Sequence, residues 1–290
     1  MQRGEAMKGQ SGELTSWVGR ERVMSDVLTP DRLVRLSATF DRDDPEPVPG
    51  DPLPPCWHWM FFQETTPMAK VGPDGHPVRG DFMPPIDKPR RMWAGSRIQF
   101  IAPPRVGEAM RRMTRIDSVV EKTGKSGSLV FVGLVNEIST DRGLAIREAM
   151  DLVYRDMPPK GAEMPSPPPA PSGAIWLRTI HPDPVLLFRY SALTFNSHRI
   201  HYDRSYCTDI EGYPGLVVHG PLTATLLVDL VRRERPEARI TSFNFRAVSP
   251  LFDTAPLVVA GAPSADGRSA RVWAEAPNGG LAMSGDVGFA

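Results

Sequence analysis

Residues 221–235, PLTATLLVDLVRRER, with the segments that follow them, 239–247 RITSFNFRA, 256–262 PLVVAGA, 269–276 SARVWAEA and 281–290 LAMSGDVGFA, decide the architecture of this chain. Pro221 suits a first helical turn, where its missing N–H leaves nothing unpaired, and Gly220 precedes it. Arg232, Arg233 and Arg235 complement the C-terminal end of the helix dipole, and Pro236 stops the helix. Leu222, Leu226, Leu227, Leu230 and Val231 recur at helical spacing, while Ala224 and Val228 fill the opposite side, so the helix is apolar around its circumference and should be buried. The later segments read as strands, divided by Pro250, Asp266-Gly267 and Asn278-Gly279-Gly280. One buried helix followed by an antiparallel meander that curves around it is the expected unit, because a sheet with one apolar face needs a cover.

The same order recurs more weakly upstream. An aromatic segment, Cys56 to Ala69, precedes strand candidates at Met92 to Ile101, Met110 to Glu121, Ser128 to Ser139 and Ala145 to Tyr154, with turn signals at Pro103-Pro104, Thr123-Gly124 and Asp141-Arg142-Gly143. RIQFIAPPRVGE (97–108) and SFNFRAVSPLFDT (242–254) share an aromatic strand followed by a proline turn, a trace of duplication. Between the two halves lies 157–172, MPPKGAEMPSPPPAPS, whose seven prolines and scarcity of large apolar residues predict a stiff, extended surface linker. The expected division is 1–157, 158–174 and 175–290. The beginning of the C-terminal half, before Pro221, reads as irregular.

Composition excludes several classes. Of the 290 residues 41% are hydrophobic and 23% charged, which describes a globular protein with ample core material. Lys plus Arg and Asp plus Glu both number 34, so no net field attracts nucleic acid or an anionic membrane. Cys56 and Cys207 are far apart and lack CxxC spacing, which gives neither a disulfide framework nor a zinc site. Met1 to Arg22 lacks the apolar stretch of a signal peptide, and the most apolar window, Gly215 to Val231, is broken by His219 and Asp229. A soluble, cytoplasmic protein is the expectation.

Two further segments carry the chemistry: 189–203, RYSALTFNSHRIHYD, and 213–227, YPGLVVHGPLTATLL. They resemble MaoC-like hydratases and dehydratases, in which an aromatic-rich segment bears Asp-x-Asn-x-x-His and a later His-Gly opens the central helix. The resemblance implies a double hotdog, an α+β fold of two tandem halves, each a central helix wrapped by an antiparallel sheet. The variant TFNSHRIHYD with VVHGPL, and the upstream KPRRMWAGSRIQF, are most similar to the branch of itaconyl-CoA and mesaconyl-CoA hydratases and fungal mitochondrial 3-hydroxyacyl-thioester dehydratases.

Carried across residue by residue, His201 takes the position of the family's histidine, Asn196 that of its aspartate and His198 that of its asparagine. An amide cannot titrate, so two readings stand: His201 acts as acid/base with Asn196 orienting the water, or His198 or Asp203 shares the duty. Imidazole titrates nearest to working pH, which favours His201. Gly220, at the start of a buried helix, offers a backbone N–H to a thioester oxygen without a side chain in the way. His198, Tyr202, His219, Arg90 and Arg91 are the expected substrate contacts. The cluster Lys88, Arg90, Arg91 and Arg97 is either a solvated face or a site for coenzyme A phosphates or a substrate carboxylate. The aromatic group Trp57, His58, Trp59, Phe61 and Phe62 is expected in the core, part of it lining an acyl pocket.

The N-terminal counterpart, 36–44 LSATFDRDD, has no histidine, so that half is expected to shape the pocket while the C-terminal half supplies catalysis. The resemblance implies reversible hydration of a short branched or dicarboxylic enoyl-CoA, with coenzyme A as part of the substrate, no separate cofactor and no metal. A 3-hydroxyacyl-thioester dehydratase acting on acyl carrier protein or CoA is the alternative, and a hotdog thioesterase or acyl-CoA-binding protein the third. Hotdog units pair, and fused halves can satisfy that pairing within one chain, so monomer and homodimer are both consistent with the sequence.

Overall fold

The computed structural model describes residues 13–124, 127–157, 159 and 164–290. In chain order these form β1 (Glu21–Val27), α1 (Pro30–Thr39), β2 (Arg90–Phe100), β3 (Ala109–Gly124), β4 (Gly127–Thr140), β5 (Gly143–Arg155), β6 (Trp176–Ile180), α2 (Pro184–Thr194), α3 (Gly220–Glu234), β7 (Ile240–Ala247), β8 (Leu257–Pro263), β9 (Ser269–Glu275) and β10 (Leu281–Phe289). The strands make one antiparallel sheet of ten in the order β1-β3-β4-β5-β2-β7-β10-β9-β8-β6. The eight strands expected from hydrophobic alternation all form, shifted by no more than a few residues at their ends.

The two halves meet edge to edge, β2 against β7, with Gly95 opposite Arg246 and Gln99 opposite Ser242. Gly95 permits this approach: a Cβ there would lie 2.3 Å from the Phe245 carbonyl oxygen. Ile98 and Phe100 of β2, Phe243 and Phe245 of β7 and the buried face of α3 then belong to one continuous core. Every residue of α3 from Leu222 to Val231 is buried, as its uniform apolarity predicts, and the helix packs on β6 to β10. Each large aliphatic side chain buried there contributes about 1.5–3 kcal/mol.

Three features depart from the sequence reading. The stretch expected to be irregular contains β6 and α2. Pro184 sits in the first turn of α2 and Asp183 caps it by accepting the Leu186 N–H at 2.8 Å. The helix escaped notice because Val185 and Phe188 are exposed, which blurs the period set by buried Leu187, Tyr190 and Ser191. Secondly, the central helix expected in the N-terminal half is reduced to α1 and a buried 3-10 turn, Trp57–Met60. Six prolines between Pro45 and Pro55 deny a continuous helix its N–H donors. Thirdly, the proline-rich linker lies partly outside the described residues, and its C-terminal part lies against the C-terminal half: the Ala170 N–H donates to Gly279 O at 2.9 Å and the Leu281 N–H to Pro168 O at 2.8 Å.

Among the described residues, no helix is long and apolar enough to cross a membrane. Cys56 and Cys207 are free and buried.

One buried charge inside α3 ties the elements together. The Asp229 carboxylate, with no exposure, accepts from Arg42 beyond α1 at 2.6 Å, Arg178 of β6 at 2.9 Å and Arg233 of α3 at 2.8 Å. Arg178 and Arg233 also donate to the Phe40 carbonyl at the C-terminal end of α1. Removing the carboxylate leaves Arg178 and Arg233 without a carboxylate partner and Arg42 with Asp44 alone, so Asp229→Ala should cost about 3–5 kcal/mol in urea unfolding. A variant as stable as the parent would show that the cluster contributes nothing.

Candidate active site between the two halves

Helix α2 ends where Phe195 takes a left-handed backbone at φ 52°, which turns the chain back into 196–201. The Asn196 Oδ1 then accepts the His198 N–H at 3.0 Å, closing an Asx turn and leaving the amide Nδ2 as the free donor. A 3-10 turn, Arg199–His201, follows. A loop of the N-terminal half clamps this segment from outside. The Ser197 hydroxyl donates to Gly75 O at 2.6 Å, and the Arg199 N–H to Asp74 O at 2.9 Å. Gly75, at φ +90°, is required, since a Cβ would stand 1.8 Å from the Ser197 carbonyl oxygen.

His201 is 7% exposed, and its Nδ1–H donates to the Val217 carbonyl at 2.7 Å. A carbonyl can only accept, so this bond fixes the tautomer and leaves the Nε2 lone pair for chemistry. The His219 ring stacks on His201 at 3.6 Å with 19° between planes, and its own Nε2 lies 2.8 Å from Ser191 Oγ. Burial lowers the His201 pKa to about 4, against the opposing pull of the Val217 carbonyl. Burial likewise takes His198 down to about 2, with His76 and His201 adding to the effect. The site therefore holds neutral imidazoles at neutral pH, groups able to accept a proton.

His198 stands edge-on to His201, ring centres 5.5 Å apart, and 4.0 Å from His76, whose Nδ1 is 3.1 Å from Asp74 Oδ2. Asp74, His76 and His198 are the group of described residues able to hold a metal ion, with ligand atoms within 4.8 Å of one another. Within this group Asp74 and His76 are already hydrogen-bonded to each other.

No side chain caps α3, and Pro221 lacks an N–H, so the Gly220 N–H is an open donor at the positive end of the helix. A Cβ on Gly220 would meet nothing within 4 Å. The protein's own packing does not require this glycine; the space before it is open to a ligand.

A cavity of about 650 Å³ brings these groups together. Asn196, His198, His201, Gly220, Pro221 and Thr223 line its C-terminal side, and Trp59, Phe61, Phe62, Phe82, Met83, Trp93 and Arg112 its N-terminal side. Of the expected contacts, Arg91 lines the cavity, exposed and without an ion-pair partner among the described residues. His198 lines it as well, whereas His219, Tyr202 and Arg90 do not. His219 is 1% exposed and lies behind His201 rather than in the wall. Tyr202 is 49% exposed and outside the lining. Arg90 also lies outside it, bound to Glu211 at 3.2 Å and over the Tyr213 ring. Asp203 is committed to the Tyr206 N–H and to Arg199, which hold its carboxyl down at about 2. Sequence reasoning missed His76, Tyr190, Trp93 and Arg112. The Asp74-Gly75-His76 turn was a signal for the first; the others sit in ordinary helix and strand patterns.

Comparison with known proteins places this geometry in a family. The family model described as hydroxyacyl-thioester dehydratase type 2 matches residues 56–253. Over 280 residues the chain is 43% identical to the mesaconyl-C(4)-CoA hydratase of Chloroflexus aurantiacus, covering 96% of this chain and 98% of that one. It is 28% identical over 234 residues to the mitochondrial hydroxyacyl-thioester dehydratase type 2 of Schizosaccharomyces pombe, covering 71% and 76%. A Mycobacterium tuberculosis protein solved as a double hotdog superposes with a TM-score of 0.59 at 14% identity, over 94% of this chain and 96% of its own. With the fold shared and the family model spanning more than half of its length, the chain belongs to the hydroxyacyl-thioester dehydratase type 2 family of MaoC-like enzymes.

Proposed function

We propose that the protein adds water reversibly to a short enoyl-CoA thioester whose acyl group is branched or dicarboxylic, of the mesaconyl or itaconyl kind. The observation that carries this reading is the opening of one cavity onto both a buried neutral imidazole, His201, and an uncapped helix N–H, Gly220. The relative with 43% identity supports the substrate class, and the family supports the reaction.

The chemistry then divides among few atoms. Water, oriented by the Asn196 amide, gives a proton to His201 Nε2 as its oxygen bonds to the β-carbon. The π electrons move to the thioester oxygen, where the Gly220 N–H and the helix end stabilise the enolate, an effect of about 3 kcal/mol in comparable oxyanion holes. The imidazolium returns the proton to the α-carbon. His219 stacks behind His201 and keeps its ring in place. The C-terminal half, 175–290, supplies this machinery, and 1–157, joined through 158–174, shapes the acyl pocket. Coenzyme A enters with the substrate, and no separate cofactor takes part. The two free cysteines and the net charge of zero fit a cytoplasmic enzyme acting on a small thioester. Dehydration of a 3-hydroxyacyl thioester is the same path in reverse, a reading that the S. pombe relative supports.

The test is loss of enoyl-thioester absorbance with a panel of CoA substrates, with a thiol reagent to detect any free CoA. Hydration consumes the band and releases no thiol; release of thiol would make the protein a thioesterase instead. His201→Ala should lower the rate at least roughly 100-fold, and an unchanged rate would remove His201 from the mechanism. Protonated His201 cannot accept from water, so kcat/KM for hydration should fall as pH drops through about 4. An acidic limb near the ordinary histidine value of about 6.5 would assign the base elsewhere. Asn196→Asp keeps the Asx turn but loses the Nδ2 donor, and should cost roughly 10–100-fold in kcat. Full activity in that variant would show that a carboxylate serves equally well and that the amide does not orient the water.

A further inference from the structure

The N-terminal end of the cavity holds polar groups that the chemistry above does not use. Arg22 of β1 stands opposite Thr114 of β3, Thr114 opposite Asn136 of β4, and Asn136 opposite Glu148 of β5, one polar row across a wall otherwise made of aromatic and aliphatic side chains. Arg112 lies on the same face of β3, two residues before Thr114.

Nearly all of this row is internally matched. Arg22 pairs with Glu64. The Thr114 hydroxyl donates to Asn136 Oδ1 at 2.7 Å, and Asn136 Nδ2 donates to Glu148 at 3.4 Å. Glu148 also accepts from Ser96 at 2.8 Å and Trp59 at 3.4 Å and has His58 at 3.6 Å, so its charge is surrounded by donors.

Arg112 is the exception. Its Nη2 contacts only Met24 Sδ at 3.1 Å and the Phe62 carbonyl at 3.4 Å, and the guanidinium lies over the Phe62 ring at 5.1 Å. Its Nε is buried with no partner, and no carboxylate comes within ion-pair distance among the described residues. Glu148, Glu64 and Asp26 act on it without pairing with it; a largely buried guanidinium with no carboxylate in contact is costly, and the remedy consistent with its fork of donors is a planar anion.

We propose that Arg112 is the anchor of an anion subsite, at the end of the cavity formed by the N-terminal half, that takes the free carboxylate of a dicarboxylic acyl group. The inference rests on the hydratase reading above and assigns its substrate preference to one residue. Exposed Arg91, at the cavity wall beside His76 and His198, is the natural neighbour of the CoA moiety. Part-buried Arg112 is the natural neighbour of the acyl end.

The experiment compares kcat/KM for mesaconyl-C4-CoA and for crotonyl-CoA, an enoyl thioester without the second carboxylate, in the parent, Arg112→Met, Arg112→Lys and Arg91→Met. Arg112→Met should lose at least roughly 100-fold on the dicarboxylic substrate and stay within about threefold on crotonyl-CoA, which also reports that the variant is folded. Arg112→Lys keeps the charge without the fork and should lose roughly tenfold on the dicarboxylic substrate alone; it carries the test if the Met variant fails to fold. Equal losses on both substrates would overturn the subsite, because a structural role or a contact with CoA phosphate affects both alike. Selective loss in Arg91→Met, with Arg112→Met unaffected, would overturn it in favour of the rim. A parent inert with every enoyl-CoA would instead sink the hydratase reading itself.

Discussion

The molecule depends on the antiparallel contact between β2 and β7. Two sheets, each with one apolar face, are joined there into ten strands, and the cavity exists because the joined sheet carries walls from both halves. The contact needs a backbone without a side chain at Gly95, where a Cβ would collide with the Phe245 carbonyl. Once the edges are paired, neither half presents a free strand there, and the hydrophobic core runs through the junction without a break.

The two halves differ in how they meet the cavity. The C-terminal half keeps the long buried helix whose first turn faces the cavity. The N-terminal half has, after α1, a proline-rich path and the buried 3-10 turn Trp57–Met60, which brings Trp59, Phe61 and Phe62 to the cavity wall. It also sends a loop across to residues 196–201, fitted by Gly75 against Ser197. α1 and α2 start alike, with proline in the first turn, and each is followed by a residue of positive φ, Asp41 at 51° and Phe195 at 52°. The likeness survives in the backbone, while only the second of the two turns leads into a histidine-bearing segment.

The electrostatics of the site follow from burial. His201 and His219, removed from water, stay neutral because a charge there would lack hydration; at His198 the same effect outweighs the opposing pull of Asp74, which is hydrogen-bonded to His76. His201 is further constrained by one hydrogen bond and one stacked ring, so its basic nitrogen has a fixed direction. The helix end at Gly220 supplies the complementary positive potential without a titrating group. A neutral imidazole and an uncapped helix N–H thus face one cavity throughout the neutral pH range.

The sequence by itself determined the elements whose signal is local. Uniform apolarity and the Pro221 and Pro236 boundaries gave α3, strand-like runs between turn signals gave eight strands, and the resemblance to the MaoC-like pattern singled out Asn196, His198, His201 and Gly220, all of which line the cavity. Tertiary structure alone decided the remainder. Whether Arg90 pairs with Glu211, whether His219 faces the cavity or supports His201, and whether Arg112 has a counter-charge all depend on residues distant in the chain. A side chain's partners are set by which strands become neighbours and in which register. That information belongs to the packing of two apolar surfaces, and no short window of sequence contains it.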